Sequence, residues 1–275
     1  MSGLTAAELR EGLVEVPAAL PTFASEGLEP AARAIAEIAA DAHDYLAGLL
    51  DRRPAAQVVV LDEADWATKG RVPLFGLPNA SEGSLVVAGT EAPFWGSLAA
   101  MVAPEDRAEL EAVYATPGGA GNSGAVHGGE IRFGPFFDLV AVHEVAHLFH
   151  QDGVTFPRLW LQELFANLAL HTWVHERRPS ALATLLTLPR LGAKAPDTNY
   201  EWRTLEDFER RYSEMGGPNY VWYQFRLELA AEDAYLSGGS AVLRRLFDAF
   251  RLDDSTLAGQ LRSLDPALGD VLTRF

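Results

Sequence analysis

The 275-residue chain contains no cysteine. Disulfide bonds, thiolate metal sites and a cysteine nucleophile are therefore excluded, and any metal ion has to be held by imidazole and carboxylate groups. The chain also lacks an apolar run long enough to cross a bilayer, and its first residues do not join a basic start to an apolar segment. These absences predict a cytoplasmic protein without a membrane partner.

Positive charge is scarce in this sequence. It has 22 Lys and Arg residues against 38 Asp and Glu residues, which gives a formal net charge of -16. Such a surface repels phosphate backbones, so we expect no nucleic-acid partner. The hydrophobic share of 48% and the charged share of 22% are typical of a globular protein with a sizeable core.

The character of the sequence changes near residue 135. Before it, residues 30–50 have the apolar spacing of a helix, and Gln57–Leu61, Ser84–Ala88 and residues 130–133 have the composition of strands. After it, nearly all of the sequence has helical spacing. We predict an α+β fold with an N-terminal α/β subdomain (1–135), a helical subdomain (136–275) and the functional cleft between them.

A His-Glu-x-x-His motif lies at the start of the helical half, at His143, Glu144 and His147. Positions four apart share one face of a helix, so both imidazoles can reach one metal ion. Glu144 points to a neighbouring sector, where it can act as a general base on water without binding the metal. The residues around the motif are apolar, and buried polar side chains need partners such as a metal ion.

Catalytic zinc usually has three protein ligands. The motif helix is predicted to end shortly after the second histidine, with Gly153 as its C-terminal cap. A second helix is predicted at residues 158–176. Glu163 is the only acidic residue in the apolar and aromatic first part of that helix. We predict that Glu163 completes a site for one Zn²⁺ per chain. Asn167, four residues later, is predicted to hydrogen-bond a ligating histidine, and Asp138 is a second candidate for that role.

The stretch from His143 to Val174 resembles the gluzincin metallopeptidases, the group that includes thermolysin and the aminopeptidase N family. The block from Trp160 to Ala166 is most similar to the third-ligand helix of the latter family. The resemblance implies a zincin-like fold and zinc-dependent hydrolysis of a peptide or protein substrate. It also implies that Tyr220, at the start of a later helix, stabilises the tetrahedral intermediate, with Tyr223 as the alternative.

The family's Gly-x-Met-Glu-Asn element is absent, so the resemblance favours peptide hydrolysis over aminopeptidase specificity. In zincins an edge strand above the metal binds the substrate backbone, and Ser84–Ala88 and residues 130–133 are both candidates for that strand. The motif also fits an inactive fold that binds a peptide or partner, or a zinc hydrolase acting on an ester or epoxide.

Three further features receive plainer interpretations. The Gly-rich segment 116–124 is predicted to be a connecting loop or a lid beside the active site. His171 and His175 are interpreted as a polar helix end, and Arg226 is a candidate for binding a substrate carboxylate. The substrate sequence, the choice between exopeptidase and endopeptidase, and the oligomeric state are not fixed by the sequence.

Overall fold

The computed structural model describes residues 4–115, 130–151 and 154–275. The segment 116–124, predicted as a connecting loop or lid, and Gly153, the predicted cap of the motif helix, lie outside the described residues. The described ranges contain thirteen α-helices and five β-strands. The α+β class predicted from the sequence is confirmed in this general form.

The sheet and five of the helices precede residue 135. The strands are β1 (Val14–Val16), β2 (Thr22–Ala24), β3 (Gln57–Leu61), β4 (Asn79–Ser81) and β5 (Ser84–Ala88). The helices are α1 (Ala6–Arg10), α2 (Glu29–Leu50), α3 (Glu63–Lys69), α4 (Pro93–Ser97) and α5 (Arg107–Tyr114). The predicted helix at residues 30–50 and the predicted strands at β3 and β5 are therefore confirmed.

In its described part, the second half contains helices and connecting segments but no strand. Its helices are α6 (Gly134–Phe149), α7 (Leu159–Arg177), α8 (Leu182–Gly192), α9 (Leu205–Arg211), α10 (Gly217–Gly238), α11 (Ser240–Asp248), α12 (Leu257–Leu264) and α13 (Pro266–Asp270). Short 3₁₀ turns occur at Leu98–Met101, Pro104–Asp106, Pro179–Ala181, Asp197–Asn199, Asp254–Thr256 and Val271–Thr273. None of the described helices combines the length and apolarity needed to cross a membrane.

The five strands form one mixed sheet in the order β1-β2-β3-β5-β4. The central strands β2, β3 and β5 are parallel, whereas β1 and β4 join the two edges antiparallel. Every residue of β3 and β5 is buried, which explains their continuous runs of Val and Leu. Because β5 pairs with β3 on one side and β4 on the other, the prediction that Ser84–Ala88 is the substrate-edge strand is wrong.

Of the two edge strands, β4 packs against the motif helix, and the sequence does not predict it as a strand. Its residues Asn79–Ser81 are short, polar and half-buried, as sheet edges often are. Only Glu82 and Gly83 form the turn to β5, with φ of 49° and 73°. The other candidate edge, residues 130–133, is not a strand, since Ile131 makes an isolated bridge to Ala115 and nothing more regular.

The motif helix α6 lies in the middle of the molecule, packed against α2, α7 and the β4–β5 edge of the sheet. Its N-terminus is held by Glu91, whose carboxylate accepts hydrogen bonds from the backbone N–H groups of Phe133 (2.8 Å) and Gly134 (3.2 Å). One apolar core cluster contains residues from the sheet, from α2 and from the C-terminal helices. The two halves therefore share a core, and that core fixes α6 relative to β4.

Candidate metal centre

Three side chains from α6 and α7 converge on one point. Nε2 of His143 lies 2.9 Å from Nε2 of His147 and 3.2 Å from Oε2 of Glu163, and the distance from His147 Nε2 to Glu163 Oε2 is 3.7 Å. His143 and Glu163 are only 5% and 6% exposed. Within the described ranges, this is the one group of histidine and acidic side chains whose ligand atoms are close enough to hold a metal ion.

The two histidine rings are oriented by hydrogen bonds through their other nitrogens. Nδ1 of His143 is 2.6 Å from Oδ1 of Asn167, and Nδ1 of His147 is 2.6 Å from Nε2 of His150. An amide oxygen only accepts, so His143 donates through Nδ1, and Nε2 is the nitrogen that faces the convergence point, where its lone pair is available once its proton has left. The hydrogen bond predicted for Asn167 is present, whereas Asp138 makes no such bond in the structure.

Glu163 is positioned by two residues that the sequence did not single out. Gln224 donates through Nε2 to Oε2 of Glu163 and to the hydroxyl of Tyr220, both at 2.8 Å. The hydroxyl of Tyr212 donates to Oε1 of Glu163 at 3.3 Å. Asn167 donates to Oε1 of Gln224 at 3.3 Å, so one network joins the histidine and carboxylate sides of the cluster.

The charges of this cluster are coupled. Burial acts to lower the pKa of His143, but the hydrogen bond and charge of Glu163, with the charge of Glu144, raise it to about 9. Burial acts to raise the pKa of Glu163, but His147 and His143 hold it well below its usual range. Without a metal the cluster is thus a buried ion pair, in which a proton on imidazole supplies the positive charge that a metal ion could replace.

His150 is neutral at ordinary pH. Burial, and then the charge of His147, lower its pKa to about 3. A neutral imidazole can accept a hydrogen bond, so Nε2 of His150 can receive the Nδ1 proton of His147. The sequence carried a signal for this contact, because His150 lies three residues after His147 and therefore close to the same helix face.

An open cleft of about 1070 Å³ lies over the cluster. His147 and Glu163 reach it from below, and its walls include the edge strand β4, Tyr212 and Tyr220. Glu144 is 7% exposed and lines both this cleft and a second, narrower cavity, hereafter the side cavity. Burial raises the pKa of Glu144, against the opposing charges of His147 and His143.

The two tyrosines proposed from the sequence occupy different environments. Tyr220 lies in the first turn of α10 and lines the cleft, and burial with the charge of Glu163 raises its pKa well above the ordinary value. Its hydroxyl therefore stays protonated and can donate. Tyr223 faces away, donating to the carbonyl oxygen of Thr204 at 2.7 Å. The structure thus favours Tyr220 over the alternative, Tyr223.

Tyr212 is a second phenol at the cleft that the sequence analysis missed. It follows α9, and 38% of its surface is exposed, although its hydroxyl reaches Glu163. The charge of Glu163, followed by burial, raises its pKa well above the usual value. No spacing rule links this position to the motif, since it lies at the end of a separate short helix.

Two other expectations are wrong. Arg226 lines neither cavity, because it pairs with Asp197 and lies over the ring of Trp222, 4.1 Å from its centroid. His171 is fully buried, so it does not belong to a polar helix end. Its Nε2 lies 3.0 Å from Oε1 of Glu228, a buried carboxylate on α10.

Comparisons of this chain with protein-family models, with curated proteins and with solved structures found no match. The resemblance to gluzincins stays a prediction from the sequence, and the function has to be argued from the residues of the site.

Proposed function

We propose that this chain is a zinc-dependent peptidase in which Glu144 activates the attacking water. The observation that carries the proposal is the spacing of the three ligand atoms. Two ligands about 2.0–2.1 Å from a tetrahedral zinc ion are roughly 3.3 Å apart. The separations of 2.9, 3.2 and 3.7 Å in the cluster bracket that value.

The donor set also favours zinc. Two imidazoles and one carboxylate suit zinc, whereas magnesium and calcium prefer oxygen ligands. Three protein ligands leave a fourth position for water or substrate, the arrangement typical of catalytic zinc. The two histidines are fixed by hydrogen bonds that they donate to Asn167 and His150, and Glu163 is fixed by hydrogen bonds that it accepts from other side chains, so little rearrangement is needed to receive an ion.

Zinc at such a site supplies Lewis-acid activation of water and of a substrate carbonyl. Glu144 then takes a proton from the attacking water and returns it to the leaving nitrogen. Burial raises the pKa of Glu144, which brings this carboxylate closer to the range where one group serves as both base and acid. Tyr220 donates a hydrogen bond to the carbonyl oxygen as that oxygen gains negative charge, and Tyr212 is placed to assist.

The edge strand supports a peptide as substrate. In the described part of the chain β4 pairs with β5 alone, and its residues Asn79–Ser81 line the cleft beside Glu144. An extended peptide can add to such an edge through main-chain hydrogen bonds, which places a scissile bond over the cluster. An ester or epoxide would make no use of this edge.

The test is Glu144→Gln in the zinc-loaded protein, with cleavage of a broad peptide library followed by mass spectrometry. We expect kcat to fall by about 10²- to 10⁴-fold while bound zinc is retained, because the amide cannot accept the proton. Glu37→Gln, at an exposed position of α2, is the control and should cleave like wild type.

Equal activity in Glu144→Gln and wild type would show that the mechanism is wrong. A zinc-loaded wild type that cleaves no peptide would contradict the proposal itself. Hydrolysis of an ester panel would then indicate a different hydrolase, and capture of intact peptides would indicate a binding protein.

A further inference from the structure

The side cavity adjoins the metal cluster but is chemically unlike the cleft. It encloses about 70 Å³, and His143, Glu144 and Asn167 form part of its wall. Most of its remaining lining is apolar and aromatic, contributed chiefly by Phe94, Leu98, Phe136, Phe137, Val140 and Phe225. A substrate side chain that leaves the cleft beside Glu144 would therefore enter an apolar channel.

One charged side chain interrupts this apolar lining away from the cluster. Glu228 lies one helical turn beyond Gln224 on α10 and is only 5% exposed. Among the described residues, its Oε1 has no hydrogen-bond partner. His171 Nε2 is 3.0 Å away, but the two groups are not aligned as a hydrogen bond, and both ring nitrogens of His171 also lack partners in the described structure.

A buried carboxylate oxygen without a donor is costly, because the group has lost its water without gaining a replacement. Arg190 of α8 does not supply that donor, since it pairs with Glu232, one turn further along α10. The lining residues of the side cavity include no Lys or Arg. Because Glu228 lines the cavity and its Oε1 accepts no hydrogen bond among the described residues, this carboxylate can receive a donor that arrives through the cavity.

We propose that the side cavity is a substrate side-chain pocket for an apolar stem with a cationic tip, as in lysine, and that Glu228 receives the ammonium group. The role of the pocket in substrate recognition rests on the proposed peptidase function, whereas its ability to bind a cation does not. The apolar walls cover the methylene stem, and the already dehydrated carboxylate makes a charge-assisted hydrogen bond to the tip.

The binding test uses small probes and requires no turnover. Butylammonium, the lysine side-chain analogue, and 1-butanol, its neutral counterpart, are titrated into the full chain and followed by NMR. We expect wild type to bind butylammonium at least about tenfold more tightly than 1-butanol. Glu228→Gln should remove that preference, whereas Glu232→Gln, on the same helix and outside the cavity, should keep it.

Equal binding of the two probes by wild type, or no saturable binding of either, would overturn the inference, and this comparison stands even if Glu228→Gln fails to fold. An unchanged preference for butylammonium in a folded Glu228→Gln would overturn it as well.

The peptide test asks whether the pocket serves the reaction. Matched peptides with lysine or norleucine next to the scissile bond should differ in kcat/KM by about tenfold or more in favour of lysine, and Glu228→Gln should abolish the difference. If butylammonium binds as expected but neither peptide is cleaved, the proposed function fails and the cation pocket stands. If both peptides are cleaved equally by wild type, the pocket assignment fails and the peptidase stands.

Discussion

Two buried groups of histidine and carboxylate share helix α7, where Glu163 of one group and His171 of the other lie about two helical turns apart. The metal cluster, His143, His147 and Glu163, has an oriented partner for every ring and for the carboxylate. The second group, the pair His171 and Glu228, is equally buried, but three of its side-chain polar atoms lack hydrogen bonds among the described residues.

The comparison shows that burial alone does not preorganise a histidine and a carboxylate for binding a metal ion. In the metal cluster the outer hydrogen bonds turn three ligand atoms toward one point, which is the requirement for binding an ion. In the pair His171–Glu228, no hydrogen bond among the described residues orients the imidazole ring or Oε1 of the carboxylate, and only Glu228 lines the side cavity. A buried histidine next to an acid is therefore not by itself a metal site. The hydrogen bonds that orient the histidine and the acid decide which ligand they can bind.

The largest effect in this comparison is expected at Tyr220. Tyr220→Phe should lower kcat by about 10²-fold with little change in KM, because a donor to the developing negative oxygen is lost. Tyr223→Phe is the matched control, since it removes a phenol from the same helix whose hydroxyl bonds Thr204 instead. Steady-state kinetics of both variants with one cleaved peptide measure the difference, and similar losses in both would place the catalytic phenol elsewhere.

A second way to test the comparison is to change the pH. In the metal-free protein the pKa of His143 is raised to about 9, so below that pH zinc has to displace its proton. Because zinc binding then releases one proton, the zinc affinity should fall about tenfold for each unit by which the pH is lowered, or about 100-fold from pH 8 to pH 6. Competition with a coloured chelator gives the affinity. His171→Asn should show the same slope, and a pH-independent wild type would contradict the raised pKa.

The smallest expected effect concerns Asn167. Asn167→Leu should weaken zinc binding about 10- to 100-fold, because the ring of His143 loses the acceptor that orients it. Thr172→Val is the control, as it removes another buried hydrogen bond of α7, to the carbonyl of Leu168, away from the cluster. Chelator competition compares the two variants. Equal affinities would mean that packing alone orients the ring.

The sequence predicted the parts of the site that follow helical spacing. His143 and His147 lie four apart, as do Glu163 and Asn167, and the structure brings all four together. Spacing carried no information on Tyr212, which reaches Glu163 from a separate helix end. A three-residue polar edge strand, Asn79–Ser81, is too short to give an alternating pattern, so the sequence does not predict it.

At His171, by contrast, helical spacing led to a prediction that is wrong. Its spacing of four from His175, near the end of a helix, indicated a polar surface, yet its side chain is fully buried and lies against Glu228 of α10. Burial by a helix distant in sequence cannot be predicted from local spacing, and neither can the hydrogen-bond partners that such burial removes. The side cavity and Glu228 were therefore accessible only from the structure.

Metal content is the most direct test of the central claim. Wild type, His143→Ala and His171→Asn should be purified without chelator or histidine tag and examined by inductively coupled plasma mass spectrometry. We predict about one zinc per chain in wild type and in His171→Asn, and none in His143→Ala. A wild type that neither contains zinc nor takes it up when zinc is added would contradict the metal centre, as would equal zinc in His143→Ala.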